Sequence, residues 1–157
     1  MLRNFKEDLA NAKDAEKIVR ETFSSLTDKY EFYDVSDDRA YYYKGDIKCL
    51  SVSNKNVTFI EVKDDSRIAE TGNILCEVEV YYKECDYYGK GNMDADYDIY
   101  CIVSKQERKI YVLDFKELKR IHKWGTFKEI NHPAQTTYCY LLPLGLAKSA
   151  IIEVIDY

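Results

Sequence analysis

Three side chains carry the clearest chemistry in this sequence: Asp46, Glu61 and Lys63. Residues two apart on a β-strand point to the same side. The stretch Val57-Thr58-Phe59-Ile60-Glu61-Val62-Lys63 is β-branched and aromatic, so it reads as a strand. Glu61 and Lys63 then project together, while Ile60 and Val62 face the opposite way. Asp46 falls on the preceding strand candidate, and a short hairpin across Asn54-Lys55-Asn56 would bring it beside Glu61. Two carboxylates from adjacent strands suit Mg²⁺ (or Mn²⁺). Mg²⁺ takes one or two carboxylates together with water and substrate phosphate. A nearby ammonium would hold the attacking water, or neutralise charge as a phosphodiester becomes pentacoordinate. For Lys63 to be the base itself, burial must lower its pKa substantially.

The triplet alone discriminates little. Acid–any–lysine occurs at 46–48, 61–63, 107–109, 114–116 and 117–119. Of these, 61–63 ends a long apolar strand and has an acid on a predicted neighbour. Asp114-Phe115-Lys116 is the rival, with Asp94, Asp96 and Asp98 upstream. The bland alternative makes Glu61 and Lys63 a solvated ion pair on a sheet edge. Glu77 and Glu79 share a face of a predicted strand. One of them is a candidate supporting acid, or both form an exposed polar face. Tyr41-Tyr42-Tyr43 either stack on bases or alternate between core and surface.

The elements that must position these groups follow from periodicity. Residues 4–26 repeat apolar side chains at three- and four-residue steps (Phe5, Leu9, Ala12, Val19, Phe23), which predicts an amphipathic helix. Strands are predicted over Tyr30–Val35, Tyr41–Val52, Val57–Lys63, Ile74–Tyr82, Tyr97–Val103, Ile110–Leu113, Tyr138–Leu142 and Ala150–Ile155. Phe115–Lys123 reads as a short basic helix. Asp64–Glu70 reads as a polar loop, and Gly89-Lys90-Gly91 as a turn near the site. The pattern is α/β (α+β) around a central mixed sheet flanked by helices, in one domain spanning residues 1–157.

Gly45-Asp46 and Ile60-Glu61-Val62-Lys63, in this setting, resemble the PD-(D/E)XK nuclease superfamily, with its restriction-endonuclease-like fold. The resemblance runs from the first helix to about residue 120. The stretch Lys63-Asp64-Asp65, Thr71-Gly72-Asn73-Ile74, Glu77 and Ala95-Asp96-Tyr97 also looks like small phage or prophage nucleases of this type. A glycine, not a proline, precedes Asp46. The resemblance implies a metal-dependent nuclease, with DNA a more expected substrate than RNA. It implies Asp46 and Glu61 as metal ligands, Lys63 as the group that positions the water, and Glu16 on the first helix as a further ligand.

Composition bounds these readings. The 157 residues are 46% hydrophobic and 32% charged, with fifteen tyrosines and six phenylalanines, so a packed core is expected over disorder. No apolar run approaches the ~18–20 residues of a membrane span. The charged stretch MLRNFKEDLANAKDAEKIVR is unlike a secretory signal, and a soluble cytoplasmic protein is expected. The net charge of −5 argues against non-specific clamping of nucleic acid. It conceals an asymmetry, because residues 61–98 are mostly acidic whereas 104–128 are mostly basic. Lys116, Lys119, Arg120 and Lys123 in the basic stretch are the candidate phosphate contacts. Alternatively, the acidic surface belongs to a non-catalytic protein that mimics DNA and binds a protein partner. A homodimer is compatible with paired cuts in a duplex. The five cysteines show no CxxC pairing, so free buried thiols in a reducing compartment are expected.

Overall fold

The computed structural model describes residues 5–157. Helix α1 (Phe5–Leu26) is followed by an antiparallel meander, β1 (Tyr30–Asp34), β2 (Ile47–Ser51) and β3 (Val57–Asp64). After a one-turn helix α2 (Ile68–Thr71), the chain builds β4 (Asn73–Tyr82) and β5 (Tyr87–Lys90). It then returns to pair β6 (Ile99–Ser104) parallel to β3. Strand β7 (Lys109–Asp114), helix α3 (Phe115–Ile121), β8 (Thr126–Asn131), β9 (Gln135–Pro143) and β10 (Ile151–Asp156) complete it. Two sheets result. The first is mixed, in the order β1-β2-β3-β6-β7-β10, and the second is antiparallel, in the order β5-β4-β9-β8.

The α+β class and central mixed sheet agree with the sequence reading. What covers that sheet differs in part. One face packs on α1, where Ala15 and Val19 meet Ile47, Ile60, Val62, Cys101, Val103 and Ile110. The opposite face packs against the second sheet and α3, through Tyr100, Ile102, Leu113, Ile74, Cys76, Phe115 and Leu118. Strands β6 and β7 supply both cores by alternation, which explains their nearly unbroken apolar runs. Each such fully buried side chain contributes roughly 1.5–3 kcal/mol. Among the described residues, no helix is long and apolar enough to cross a membrane.

Four expectations are corrected. The strand expected over Tyr41–Val52 is only Ile47–Ser51, because Asp38 caps a 3₁₀ turn over Arg39–Tyr41. The loop expected over Asp64–Glu70 contains the start of α2, which ends at left-handed Gly72. Gly89-Lys90-Gly91 is not a free turn, since Gly89 and Lys90 belong to edge strand β5 and Gly91 packs against the Glu77 backbone. The Thr126–Asn131 strand carries no period-two apolar signal and was not expected; pairing with β9 makes it.

Candidate active site

Gly45 sets the geometry of the site. Its φ of 137° is open to glycine and closed to proline, whose ring fixes φ near −65°. A Cβ there would lie 2.7 Å from the Ile60 carbonyl oxygen. This close approach lets the Asp46 N–H donate to that carbonyl at 2.9 Å. The Val62 N–H in turn donates to Asp46 Oδ2 at 2.9 Å. Asp46 is thus fixed by its backbone and side chain to β3, next to Glu61.

Glu61 is only 8% exposed, and β3 lies inside the sheet between β2 and β6. The sheet-edge reading of the Glu61–Lys63 pair is therefore incorrect. Lys63 Nζ stands 3.0 Å from Glu61 Oε1. The Lys63 side chain is 37% exposed, yet it sits in a concavity with protein on most sides. Burial opposes its charge. The carboxylates of Glu61, Glu77 and Asp46 outweigh burial and hold the ammonium above the usual lysine value. The carboxylates around Lys63 thus favour its charged form.

Burial and the adjacent Glu61 charge push Asp46 up to about 7, against the opposing effects of the Val62 N–H and Lys63. Glu16, buried on α1, is also raised, first by burial and then by Asp46. Glu16 Oε2 is buried without a hydrogen-bond partner, 3.5 Å from Lys13 Nζ. Lys13 is itself bound to Ser36 Oγ and to Asp37 Oδ1. Glu16, Asp46, Glu61 and Tyr97 line one cleft of about 520 Å³, together with Lys13 and Arg39. The structure therefore brings together three of the sequence-derived acids, with Lys63 bound to the last of them.

Lys63 opens onto a second cavity of about 560 Å³ between the sheets, shared with Asp65, Glu77, Tyr100 and His132. Glu77 reaches it on the same face of β4 as Leu75, and the β4–β9 register then shifts between Glu77 and Glu79. The bulge corrects the expectation that these glutamates share a face. Glu77 pairs with Cys139, which is buried, and Glu79 with the neighbouring residue Tyr138. Gly91 secures the bulge, since a Cβ there would lie 2.3 Å from the Glu77 carbonyl oxygen.

The other sequence candidates have structural partners. Asp114 caps α3 by accepting from the Glu117 N–H at 3.0 Å, which explains the rival triplet. Asp98 Oδ2 accepts from the Phe59 N–H at 2.8 Å and anchors the parallel β3–β6 pair. In the basic segment, Lys119 donates to the Ala95 carbonyl at 2.9 Å. Arg120 is bound to Glu117, as close as 2.6 Å. Lys116 and Lys123 are exposed. The free thiols Cys49, Cys76, Cys101 and Cys139 are buried as expected, whereas Cys85 is exposed. Sequence reasoning gave Tyr97 no role. Its phenol is raised by burial and by the Glu61 and Asp46 carboxylates it faces.

Comparison of the chain with protein-family models, with curated proteins and with solved structures gives no match. The site's own geometry therefore carries the functional argument. Among the described residues, no group of three or more His, Cys, Asp or Glu side chains could hold a metal ion. A hydrated Mg²⁺ or Mn²⁺ needs fewer protein ligands, because water and substrate complete its shell. The all-oxygen donor pair Asp46–Glu61 fits such a hard cation.

Proposed function

We propose that this chain is a cytoplasmic, metal-dependent nuclease of the PD-(D/E)XK type, hydrolysing phosphodiester bonds, with DNA the expected substrate. The observation that carries the reading is the docking of Asp46 onto β3 beside Glu61, with Lys63 3.0 Å from Glu61. Asp46 and Glu61 would hold Mg²⁺ or Mn²⁺, with Glu16 assisting. When bound, the cation supplies a more acidic water and charge stabilisation at phosphoryl oxygens. Lys63 remains protonated, orients the attacking water by hydrogen bonding and balances negative charge at phosphorus. Lys116, Lys119, Arg120 and Lys123 contribute phosphate contacts away from the acids.

The test is cleavage of linear duplex, single-stranded and branched DNA and RNA, in Mg²⁺, Mn²⁺ or EDTA. Wild type is run beside Glu61→Ala and Lys63→Ala. Metal-dependent cutting by wild type, lost in both folded variants, is expected. Unchanged cleavage by both variants would overturn the assignment. A second reading is a non-catalytic acidic protein that binds a protein partner. The net charge of −5 and the acidic stretch 61–98 motivate it. It requires metal-independent partner binding and no hydrolysis of any of these substrates.

A further inference from the structure

The cleft that contains Asp46 and Glu61 opens beside the run Arg39-Ala40-Tyr41-Tyr42-Tyr43-Lys44. Its three tyrosines have different fates. Tyr41 is half-buried, with its ring centroid 5.5 Å from that of Phe59. Lys48 lies over the Tyr41 ring at 5.7 Å, and Lys44 over the Phe59 ring at 5.3 Å. Tyr42 and Tyr43, by contrast, are 73% and 83% exposed. Their centroids are 6.1 Å apart. Two neighbouring aromatic rings left in water add little to the core, so packing does not account for them. Tyr42 and Arg39 also line the cleft with the candidate catalytic acids. Residues 39–48 carry Arg39, Lys44 and Lys48 against the single acid Asp46, in a chain of net charge −5.

We infer that Tyr42 and Tyr43 form a stacking platform for unpaired bases, which makes single-stranded nucleic acid the substrate class of this site. The cleavage part of this inference rests on the nuclease reading above; the binding part does not. Every base offers a π-face to an exposed ring once it is unstacked, so such a platform tolerates any sequence. In a duplex those faces are covered by neighbouring bases, and only edges and phosphates remain accessible. Arg39, on the cleft wall, and Lys44 flank the rings and supply phosphate contacts beside the carboxylates. Because Tyr42 belongs both to the platform and to the cleft wall, a strand stacked there brings its backbone to the Asp46–Glu61 pair.

Fluorescence anisotropy of labelled oligothymidylate, and of its duplex with oligoadenylate, tests the inference. It is run in Ca²⁺ and again in EDTA. Wild type should bind the single strand at least about tenfold more tightly than the duplex. The Tyr42→Ala/Tyr43→Ala double variant should lose that affinity by about tenfold or more, whereas Tyr42→Phe/Tyr43→Phe keeps it. Arg39→Ala should instead flatten the salt dependence. Equal binding of both probes, no binding of either by folded wild type, or full affinity in the alanine variant would each overturn the platform. Tyrosine-dependent single-strand binding without metal-dependent cleavage would keep the platform and reject the nuclease. Metal-dependent cleavage with no single-strand preference would do the reverse.

Discussion

The Lys63 ammonium and the Glu61 carboxylate lie 3.0 Å apart, Glu61 lining one cavity and Lys63 the other. Glu61 faces the cleft of Asp46 and Glu16, while Lys63 faces the space between the sheets. The pair is the point where the acidic cleft meets the inter-sheet cavity. Lys63 sets its positive charge directly against Glu61 in a centre rich in carboxylates, so its removal should affect charge more than packing.

Lys63→Met keeps the length of the side chain and removes its charge. Cleavage should fall by at least about a hundredfold, a size typical for loss of a positioned charge in a polar site. The fold should be retained, and circular dichroism with single-turnover cleavage checks both parts. Cleavage within a few-fold of wild type would exclude Lys63 from the reaction.

Asp46 gives a pH signature. Its carboxyl sits at about 7 in the folded chain, against an ordinary 3.8, so the folded state keeps a proton that the unfolded state releases. Its contribution to stability therefore falls as pH rises from about 4 to about 7. Asn keeps an oxygen to accept from the Val62 N–H and carries no charge. Asp46→Asn should be more stable than wild type at pH 8, by on the order of 1–3 kcal/mol, and the difference should vanish near pH 4. Urea unfolding in EDTA at both pH values measures this, and an equal difference at the two would refute it.

Gly45→Ala forces a side chain into a φ of 137° and against the Ile60 carbonyl. A loss of about 1–3 kcal/mol in urea unfolding is expected. Cleavage should fall more than stability alone explains, because Asp46 is seated by this approach. Activity equal to wild type below the melting range would show that Asp46 does not depend on it.

Gly91→Ala meets the Glu77 carbonyl at the β4 bulge. It should destabilise by about 2 kcal/mol or more, a size common for overpacking against a fixed backbone. Glu77→Gln leaves the bulge intact and removes one of the charges that hold Lys63 protonated. The lysine amine should then titrate at lower pH, as nitrogen-15 NMR of the Lys63 side chain would show. An unchanged titration would remove Glu77 from the site.

The site was legible to the extent that it is local. Asp46, Glu61 and Lys63 lie on two strands joined by a tight turn, and period two is enough to align them. Glu16 was accessible through a resemblance, and α1 does place it in the same cleft. That Glu79 points away from Glu77 was not accessible, because the unpaired residue between them reverses the side chains after it and no composition marks the bulge. The second sheet was hidden for a related reason. Its strand β8, TFKEIN, is almost wholly exposed and has no apolar face to read. Arg39, Tyr42 and Tyr97 reach the cleft from a 3₁₀ turn and from the approach to β6, where no periodicity operates.

The second sheet also sets an order of events for a chain made from its N-terminus. The β2–β3 hairpin that carries Asp46 and Glu61 is complete within a short stretch. Strand β4 pairs with β9 from Tyr82–Gln135 to Asn73–Pro143, so its partner emerges well after it. Until then β4 has β5 alone as a strand partner, and the face of β4 that later meets Leu142 lacks that cover. The acids are thus assembled early, while the cavity beside Lys63 closes only as β8 and β9 arrive. A nascent chain would hold its reactive groups in place before it has the enclosure in which to use them.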